Sequence, residues 1–300
     1  MPHYKVSTVF IMKGLEVMSK IAIVTDSSAC LPEDVRKEYN IYISYLMIIF
    51  GKQAYQEFKE ISPSKFVELL GEHEELPSTS QPSVGSNAQL YEQAFADGYD
   101  EVVHLTLASA LSGSYASAVS AAEMVNAEKI HVYDTKGIAS IQYTLVVEAG
   151  KMAQAGKSVS EILTRLDQLR EGWFIAAAIN DLTNLRKGGR ISSFSASLGS
   201  VLQIKPLIGV TEDGGLEPTG KVRTFKKALN LLVNLAKEAK LDPEKDEVGV
   251  LHMENPEAAA QLKADLLKIY PGIEITELPL SLAVAVHAGP GAASVSWVRK

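Results

Sequence analysis

Small hydroxyl side chains cluster at two places where the sequence predicts the start of a helix. Thr79 and Ser80 precede a helix predicted over 84–96, and Ser112-Gly113-Ser114 precedes the helix that begins near Tyr115. Hydroxyl groups and unpaired backbone N–H groups at a helix N-terminus attract an anion, because the helix dipole places partial positive charge there. The same residue types also serve as ordinary helix caps, and the spacing alone leaves both roles open.

A third candidate for chemistry is His287, which follows an apolar segment over 281–286 that we predict to be a strand. Gly289 and Gly291 come directly after it, and glycine lets the backbone approach a ligand closely. A structural role for a single histidine is the alternative. The other histidines have no partner at the spacing of a metal site, so we predict no metal centre. The motifs of a P-loop, a nucleophile elbow and a dinucleotide-binding loop are absent from the sequence.

The first half of the chain alternates strand-like and helix-like segments, which is the pattern of a largely parallel sheet covered by helices on both faces. We predict strands over 20–25, 101–107 and 129–133, an apolar run over 41–50, and helices over 62–71, 84–96, 138–155 and 158–169. The second half has more strands. We predict them over 173–179, 205–210, 215–222, 247–253, 273–278 and 281–286, with helices over 225–239 and 256–270.

These elements predict an α/β fold made of two α/β domains. Residues 20–168 form an N-terminal domain with a largely parallel sheet flanked by helices. Residues 169–300 form a C-terminal domain with a mixed sheet and helices. Residues 1–19 precede the pattern as an N-terminal extension, and Met18 offers an alternative start.

The composition describes an aliphatic globular chain of 300 residues, with 46% hydrophobic and only 7% aromatic residues. A single cysteine, Cys30, excludes an intramolecular disulfide framework and favours the reducing cytoplasm. No apolar stretch approaches the roughly 20 residues that a membrane-spanning helix needs. The formal net charge of −7 argues against a general nucleic-acid-binding protein.

One stretch, residues 186–227, reverses this charge, because it holds eight basic and three acidic residues and so carries a net +5. We expect it to contact an acidic protein or an anionic membrane, and a solvated surface is the alternative. The candidate docking residues are Arg186, Arg190, Lys205 and Arg223. An apolar stripe within the stretch predicts either a lid or ordinary core packing; it comprises Phe194, Leu198, Val201 and Leu202.

Six short motifs occur in the same order as in a known family. They are Thr25-Asp26-Ser27-Ser28, Thr79-Ser80-Gln81-Pro82-Ser83, Leu111-Ser112-Gly113-Ser114, Lys187-Gly188-Gly189-Arg190-Ile191-Ser192, Lys205-Pro206 and His287-Ala288-Gly289-Pro290-Gly291. Each motif is weak by itself. The ordered set, from about Lys20 to the C-terminus, resembles the DegV family of bacterial fatty-acid-binding proteins, which includes the binding subunits of fatty acid kinase.

The resemblance implies a protein without catalytic residues or a cofactor of its own, which holds a long-chain fatty acid with its carboxylate in the interdomain cleft. The implied carboxylate-binding residues are Thr79, Ser112 and His287, supported by Ser80, Gly113 and Ser114. The implied partner is a separate ATP-dependent fatty acid kinase, which makes an acyl phosphate for phospholipid synthesis, with transient contact to the membrane. The chain departs from the family pattern at Ser114 and Ala288, where threonine is usual.

Two other functions remain open at this stage. Ser112 and His287 could form the nucleophile and base of a lipid esterase or acyltransferase, although the sequence identifies neither an orienting acid nor an oxyanion hole. A regulatory protein that senses a lipid and binds another protein through the basic stretch is the third hypothesis.

Overall fold

A computed structural model describes residues 19–180, 182–190 and 204–300 of the chain. Three of the features named above lie outside the described residues. They are residues 1–18 of the N-terminal extension, the Ile191-Ser192 end of the glycine-rich motif, and the apolar stripe at Phe194, Leu198, Val201 and Leu202. Within the described ranges, no helix is long and apolar enough to cross a membrane.

Four parallel strands form the first sheet. In order across the sheet they are β2 (Tyr42–Ser44), β1 (Ile21–Asp26), β6 (Glu101–Thr106) and β7 (Ile130–Asp134). Helices α3 (Val84–Ala96) and α4 (Ser114–Val125) cover the face that carries Ala22 and Val24. Helix α5 (Ser140–Gln154) covers the opposite face. Because both faces are buried, β1 is apolar on both sides of its pleat.

Six strands form the second sheet, which is antiparallel except for its last pair. In order they are β10 (Leu216–Val222), β9 (Lys205–Val210), β8 (Trp173–Ala178), β13 (Ala293–Arg299), β11 (Asp246–His252) and β12 (Glu274–Pro279). Helices α8 (Phe225–Ala239) and α9 (Pro256–Ile269) cover one face through aliphatic side chains such as Leu232 and Leu262. The other face turns toward α5, and α6 (Val159–Arg170) packs beside that helix.

A small antiparallel sheet in the first half of the chain packs against a helix from the second half. It consists of β4 (Gln53–Gln56), β3 (Met47–Phe50) and β5 (Ser78–Ser80), in that order. The short helix α10 (Leu282–Ala288), from the end of the chain, packs against β3 and β5, and α7 (Thr183–Lys187) packs against α10. Helices α1 (Glu33–Glu38) and α2 (Pro63–Glu72) and a 3₁₀ turn (Ser27–Ala29) complete the described elements of the first half.

The predicted mixed α/β fold is confirmed, but the prediction of a strand over 281–286 is wrong, because these residues belong to α10. Ser281 caps this helix by accepting a hydrogen bond from the Val284 N–H, and Gly289 ends it at a φ of +83°. A short apolar run that is buried on all sides has no periodicity that distinguishes a helix from a strand. His287 therefore lies in the last turn of a helix, and the true final strand is β13, which the sequence reasoning missed.

The apolar run over 41–50 holds two strands, β2 and β3, that belong to different sheets. The chain changes direction between them near Leu46, whose N–H donates a hydrogen bond of 2.9 Å to Ser27 Oγ. The predicted domain boundary between residues 168 and 169 falls near the end of α6, just before β8. That division into two domains stays a prediction.

Candidate functional site

Thr79 and His287 meet although they are 208 residues apart in the sequence. A distance of 3.0 Å separates Thr79 Oγ1 from His287 Nε2, which is a hydrogen bond. Strand β5 positions Thr79 by pairing with β3, where Thr79 lies opposite Ile48. Because α10 packs against both of these strands, its last turn brings His287 to the threonine.

The His287 imidazole is neutral near neutral pH. Burial is the main reason that the pKa of His287 is lowered to about 4, and the positive charge of Arg190 lowers it further. Nδ1 is buried, and no hydrogen-bond partner for it lies within the described part of the chain. An unpaired buried acceptor is tolerated better than an unpaired N–H, so the proton belongs on Nε2. His287 then donates to Thr79 Oγ1, which leaves the threonine hydroxyl hydrogen free for a ligand.

Gly188, which ends α7, lies directly against the His287 ring. A Cβ at this position would lie 2.1 Å from Nδ1 and 2.7 Å from Cε1 of His287, which is too close for atoms that are not bonded. The Asn184 side-chain amide, one turn earlier, donates a hydrogen bond of 2.9 Å to the Val286 carbonyl oxygen of α10. These contacts show that the first glycine of the Lys-Gly-Gly-Arg motif is needed for the close packing of α7 on α10.

Ser112-Gly113-Ser114 lies next to the Thr79 strand. Ser112 Oγ is 2.9 Å from Ser114 Oγ and accepts a hydrogen bond of 3.2 Å from the Ser114 N–H, at the start of α4. A Cβ on Gly113 would lie 3.0 Å from Gln81 Nε2, so Gln81 packs closely over this glycine. The two hydroxyl-rich motifs are therefore adjacent in space, and Gln81 is the contact between them.

Arg190 connects the glycine-rich motif to the serine loop. Its Nη1 donates a hydrogen bond of 2.5 Å to the Gly188 carbonyl oxygen, and its Nε donates one of 3.5 Å to the Leu111 carbonyl oxygen. Arg190 and Gln81 are exposed, whereas Thr79 and His287 are half-buried. The polar group is thus open to solvent on one side and closed on the other.

A cavity of about 990 Å³, its opening included, extends inward from this polar group. Most lining side chains are aliphatic. Ile175 and Ile208 come from the second sheet, Val284 comes from α10, and Leu46 and Leu107 come from the segments that follow β2 and β6. The arrangement suits a ligand with an anionic or polar head and a long apolar body.

Comparison with relatives of known sequence identifies the family of the chain. A sequence model described as "Uncharacterised protein, DegV family" matches residues 20–300. Protein DegV of Bacillus subtilis is 31% identical over 281 residues, which cover 93% of this chain and 99% of that protein. A DegV domain-containing protein of Listeria innocua is 37% identical over 280 residues, covering 92% of this chain and 97% of that protein. The chain belongs to the DegV family.

Solved DegV-family structures share the fold of this chain. DegV of Bacillus subtilis, described as a fatty acid binding protein, superposes with a TM-score of 0.86 at 31% identity and covers 94% of this chain and 100% of its own. A DegV family protein from Thermus thermophilus, described by its fatty acid binding, gives 0.85 at 27% identity with the same coverage. A stearic-acid-binding protein from Eubacterium ventriosum gives 0.85 at 25% identity, covering 94% and 99%. The family predicted from the six motifs is confirmed.

The predicted site residues of this DegV-family chain fall into two groups. Those that line the cavity are Thr79, Ser80, Ser112, Arg190 and His287, while Gly113 and Ser114 lie in the adjoining serine loop. The remaining docking candidates do not line it: Lys205 donates a hydrogen bond of 2.9 Å from Nζ to the Asn180 carbonyl oxygen, and Arg186 and Arg223 are exposed. Their binding roles stay predictions.

Sequence reasoning missed several residues that shape the site. Gln81 belongs to one of the motifs but was assigned no role, although its position after two hydroxyl residues and before a proline was a usable signal. Asn184 and Ser294 gave no such signal. The hydrogen bond of Asn184 and the position of Ser294 in the cavity wall both depend on the tertiary fold.

Two buried carboxyl groups, those of Glu57 and Asp26, hold segments next to the site by hydrogen bonds. Glu57 accepts a hydrogen bond of 2.9 Å from the Leu282 N–H at the start of α10 and one of 3.2 Å from Ser27 Oγ. Burial raises the pKa of Glu57 to about 7. Asp26 accepts a hydrogen bond of 2.8 Å from the Leu107 N–H, and burial raises its pKa as well. The Thr-Asp-Ser-Ser motif therefore fixes the turn after β1.

The geometry does not form the dyad that the esterase hypothesis requires. His287 Nε2 pairs with Thr79, whereas the hydrogen bonds of Ser112 Oγ are to Ser114. No carboxylate orients Nδ1 among the described residues, since this nitrogen has no partner there. Serine-based acyl transfer needs a nucleophile that is hydrogen-bonded to a base, and an acid that orients the base. The described residues do not form this arrangement at the site.

Proposed function

We propose that this protein binds a long-chain fatty acid in the cavity, with the carboxylate at its polar opening between Thr79, Ser112 and His287. The observation that carries the proposal is the pairing of an aliphatic cavity with a Thr79–His287 hydrogen bond at its open end. The printed descriptions of related structures, from Bacillus subtilis and Thermus thermophilus among others, support the choice of a fatty acid as ligand.

The energetics of such a complex are favourable without an ion pair. Each methylene removed from water contributes about 0.8 kcal/mol, so a long acyl chain supplies most of the binding free energy. A carboxylate that leaves water needs hydrogen-bond donors in return. Thr79 supplies one, because neutral His287 donates to its Oγ1 and leaves the threonine hydroxyl hydrogen for the ligand. Ser112 supplies a second when Ser114 Oγ is the donor in the hydrogen bond between the two serines. The Arg190 guanidinium adds positive charge at the opening.

The protein then presents the bound fatty acid to a separate ATP-dependent fatty acid kinase, which forms the acyl phosphate used for phospholipid synthesis. This role rests on the family resemblance and on the absence of an assembled acyl-transfer dyad among the described residues. The protein contributes no catalytic residue and uses no cofactor besides its fatty acid ligand. Because the kinase consumes ATP, we place the complex in the cytoplasm, with Arg186, Arg190, Lys205 and Arg223 on the side that meets the kinase or an anionic membrane.

A lipid extract of the purified protein tests the binding step directly. Mass spectrometry should find about one long-chain fatty acid per chain, and delipidated protein should take up added oleate or palmitate. Protein that is free of lipid and binds neither fatty acid would refute the proposal.

Variants of the two hydroxyl residues test the carboxylate site. Thr79→Val and Ser112→Ala each remove one hydrogen-bond donor to a charged group, and we expect affinity for oleate to fall about tenfold or more. Thr164→Val, at an exposed position of α6, is the matched control and should bind oleate as the unmodified protein does. With a purified fatty acid kinase, the rate of acyl-phosphate formation should fall in Thr79→Val and Ser112→Ala and stay unchanged in Thr164→Val. Equal affinity in all three variants would remove Thr79 and Ser112 from the site.

A further inference from the structure

Ser294 places an unpaired hydroxyl group in the wall of the aliphatic cavity. The residue lies in β13, is only 1% exposed and lines the cavity. Its Oγ has no hydrogen-bond partner among the described residues. An unpaired buried hydroxyl destabilises a protein relative to one that has a partner, so its presence in this wall needs an explanation.

The neighbours of Ser294 on the sheet cannot satisfy it. Ser294 lies opposite Ala177 on β8 and opposite Leu251 on β11, and Ala177 lies in turn opposite Ile208 on β9. Cross-strand partners share one face of a sheet, so this row offers Ser294 only aliphatic side chains. Of these, Ala177 and Ile208 line the same cavity.

Two other buried serine hydroxyl groups, one in the cavity wall and one on the same strand, have partners within the protein. Ser28, also in the cavity wall, has Oγ 2.7 Å from Gln142 Oε1 and 2.5 Å from an oxygen of Asp26. Ser296, two residues further along the same face of β13, has Oγ 2.6 Å from Ser140 Oγ. Ser294 therefore differs from both in facing the ligand space without a partner.

We propose that Ser294 recognises an oxygen atom carried on the acyl chain, so that the preferred ligands are fatty acids with a hydroxyl or keto group along the chain. This inference rests on the proposed fatty acid site. A plain acyl chain displaces water from Ser294 and offers no acceptor in return, which leaves the hydroxyl unpaired in the complex. A hydroxyl or keto oxygen at the matching depth accepts the hydrogen bond of Ser294, and a hydroxyl substituent can also donate one to it.

Competition binding with stearate and a positional series of monohydroxylated stearates tests the inference. We expect one positional isomer to bind about fivefold or more tightly than its neighbours in the series, which corresponds to one buried hydrogen bond of about 1 kcal/mol. In Ser294→Ala this positional preference should disappear, and stearate should bind at least as tightly as before. Ser296→Ala is the matched control on the same strand and should keep the preference.

The outcomes separate this inference from the proposed function. If stearate binds and no isomer is preferred, or if the preference survives in Ser294→Ala, Ser294 does not recognise chain oxygen and the fatty acid site stands. If neither stearate nor any isomer binds, the proposed function fails and the inference fails with it. Thermal unfolding of each variant without ligand, with midpoints close to that of the unmodified protein, shows that the comparison is between folded proteins.

Discussion

Gly188 lies so close to His287 that a methyl group added at Gly188 would displace the imidazole ring. We expect Gly188→Ala to push the imidazole away from Thr79, since the new Cβ would lie 2.1 Å from Nδ1. Binding of oleate should weaken about tenfold or more, as expected when a charge-assisted hydrogen bond is lost. Isothermal titration of delipidated protein measures the change.

Gly85→Ala is the control for this prediction. Gly85 lies in α3, where an added Cβ would meet no atom within 4 Å. Alanine in a helix is more favourable than glycine, so this variant should be slightly more stable and bind oleate normally. Unchanged binding in Gly188→Ala would show that the His287 position is irrelevant to the ligand.

At this scale, the sequence indicated the residues that carry hydroxyl or imidazole groups in recognisable motifs. Thr79, Ser112 and His287 were identified in this way, and the structure brings them to one cavity. The sequence could not indicate which hydrogen-bond partner each of these residues has. That Thr79 rather than Ser112 pairs with His287 depends on how β5 and α10 pack, and no local spacing encodes a contact across 208 residues.

Among the elements, α10 has the most direct effect on the site, and Glu57 holds its first turn. Glu57→Ala leaves the Leu282 N–H and Ser27 Oγ without their buried acceptor, which should destabilise the fold by about 1–3 kcal/mol and weaken oleate binding. Glu57→Gln keeps an acceptor for Leu282 and should retain binding. Chemical unfolding and oleate titration of both variants measure the two effects, and equal behaviour of the two would contradict the anchoring role.

The same carboxyl group gives the protein a pH dependence of known sign. The pKa of Glu57 is raised to about 7 in the folded state, against an ordinary value of 4.5, so the folded state holds a proton that the unfolded state has lost. Between these two values, rising pH should therefore lower stability by up to about 1.4 kcal/mol per pH unit from this group. Glu57→Gln should reduce that loss when unfolding is measured at about pH 5 and about pH 7.

Glu92→Gln, at an exposed position of α3, is the control for the pH experiment and should follow the unmodified protein. A slope in Glu57→Gln identical to that of the unmodified protein would show that Glu57 ionises normally.

Elements with a clear period were predictable, and buried apolar ones were not. The amphipathic pattern of α8 and the Asn255-Pro256 start of α9 appear in the structure within a residue or two of their predicted limits. The sequence predicts a strand at α10, because burial on all sides removes the polar face that would reveal the helical period. The small sheet was missed because β3, β4 and β5 are three to four residues long and pair only through the tertiary fold.

For the whole molecule, the uneven distribution of charge predicts where the proposed fatty acid kinase partner would dock. Arg223 is exposed and does not line the cavity, so Arg223→Ala should leave oleate affinity unchanged and slow acyl-phosphate formation about threefold or more. Added salt should reduce the rate of the unmodified protein more than that of the variant, because salt screens exposed charges.

Lys129→Ala, exposed at the start of β7 and outside the basic stretch, is the control for Arg223. Equal kinase rates in both variants would exclude Arg223 from the docking surface.

The Thr79–His287 hydrogen bond and the Glu57–Leu282 hydrogen bond also bear on the order of folding. They join residues that are 208 and 225 positions apart in the sequence. Closing loops of this length costs conformational entropy before the contacts can form, so we expect the polar end of the cavity to form late. A refolding chain should therefore recover its helices and strands before it recovers the ability to bind oleate.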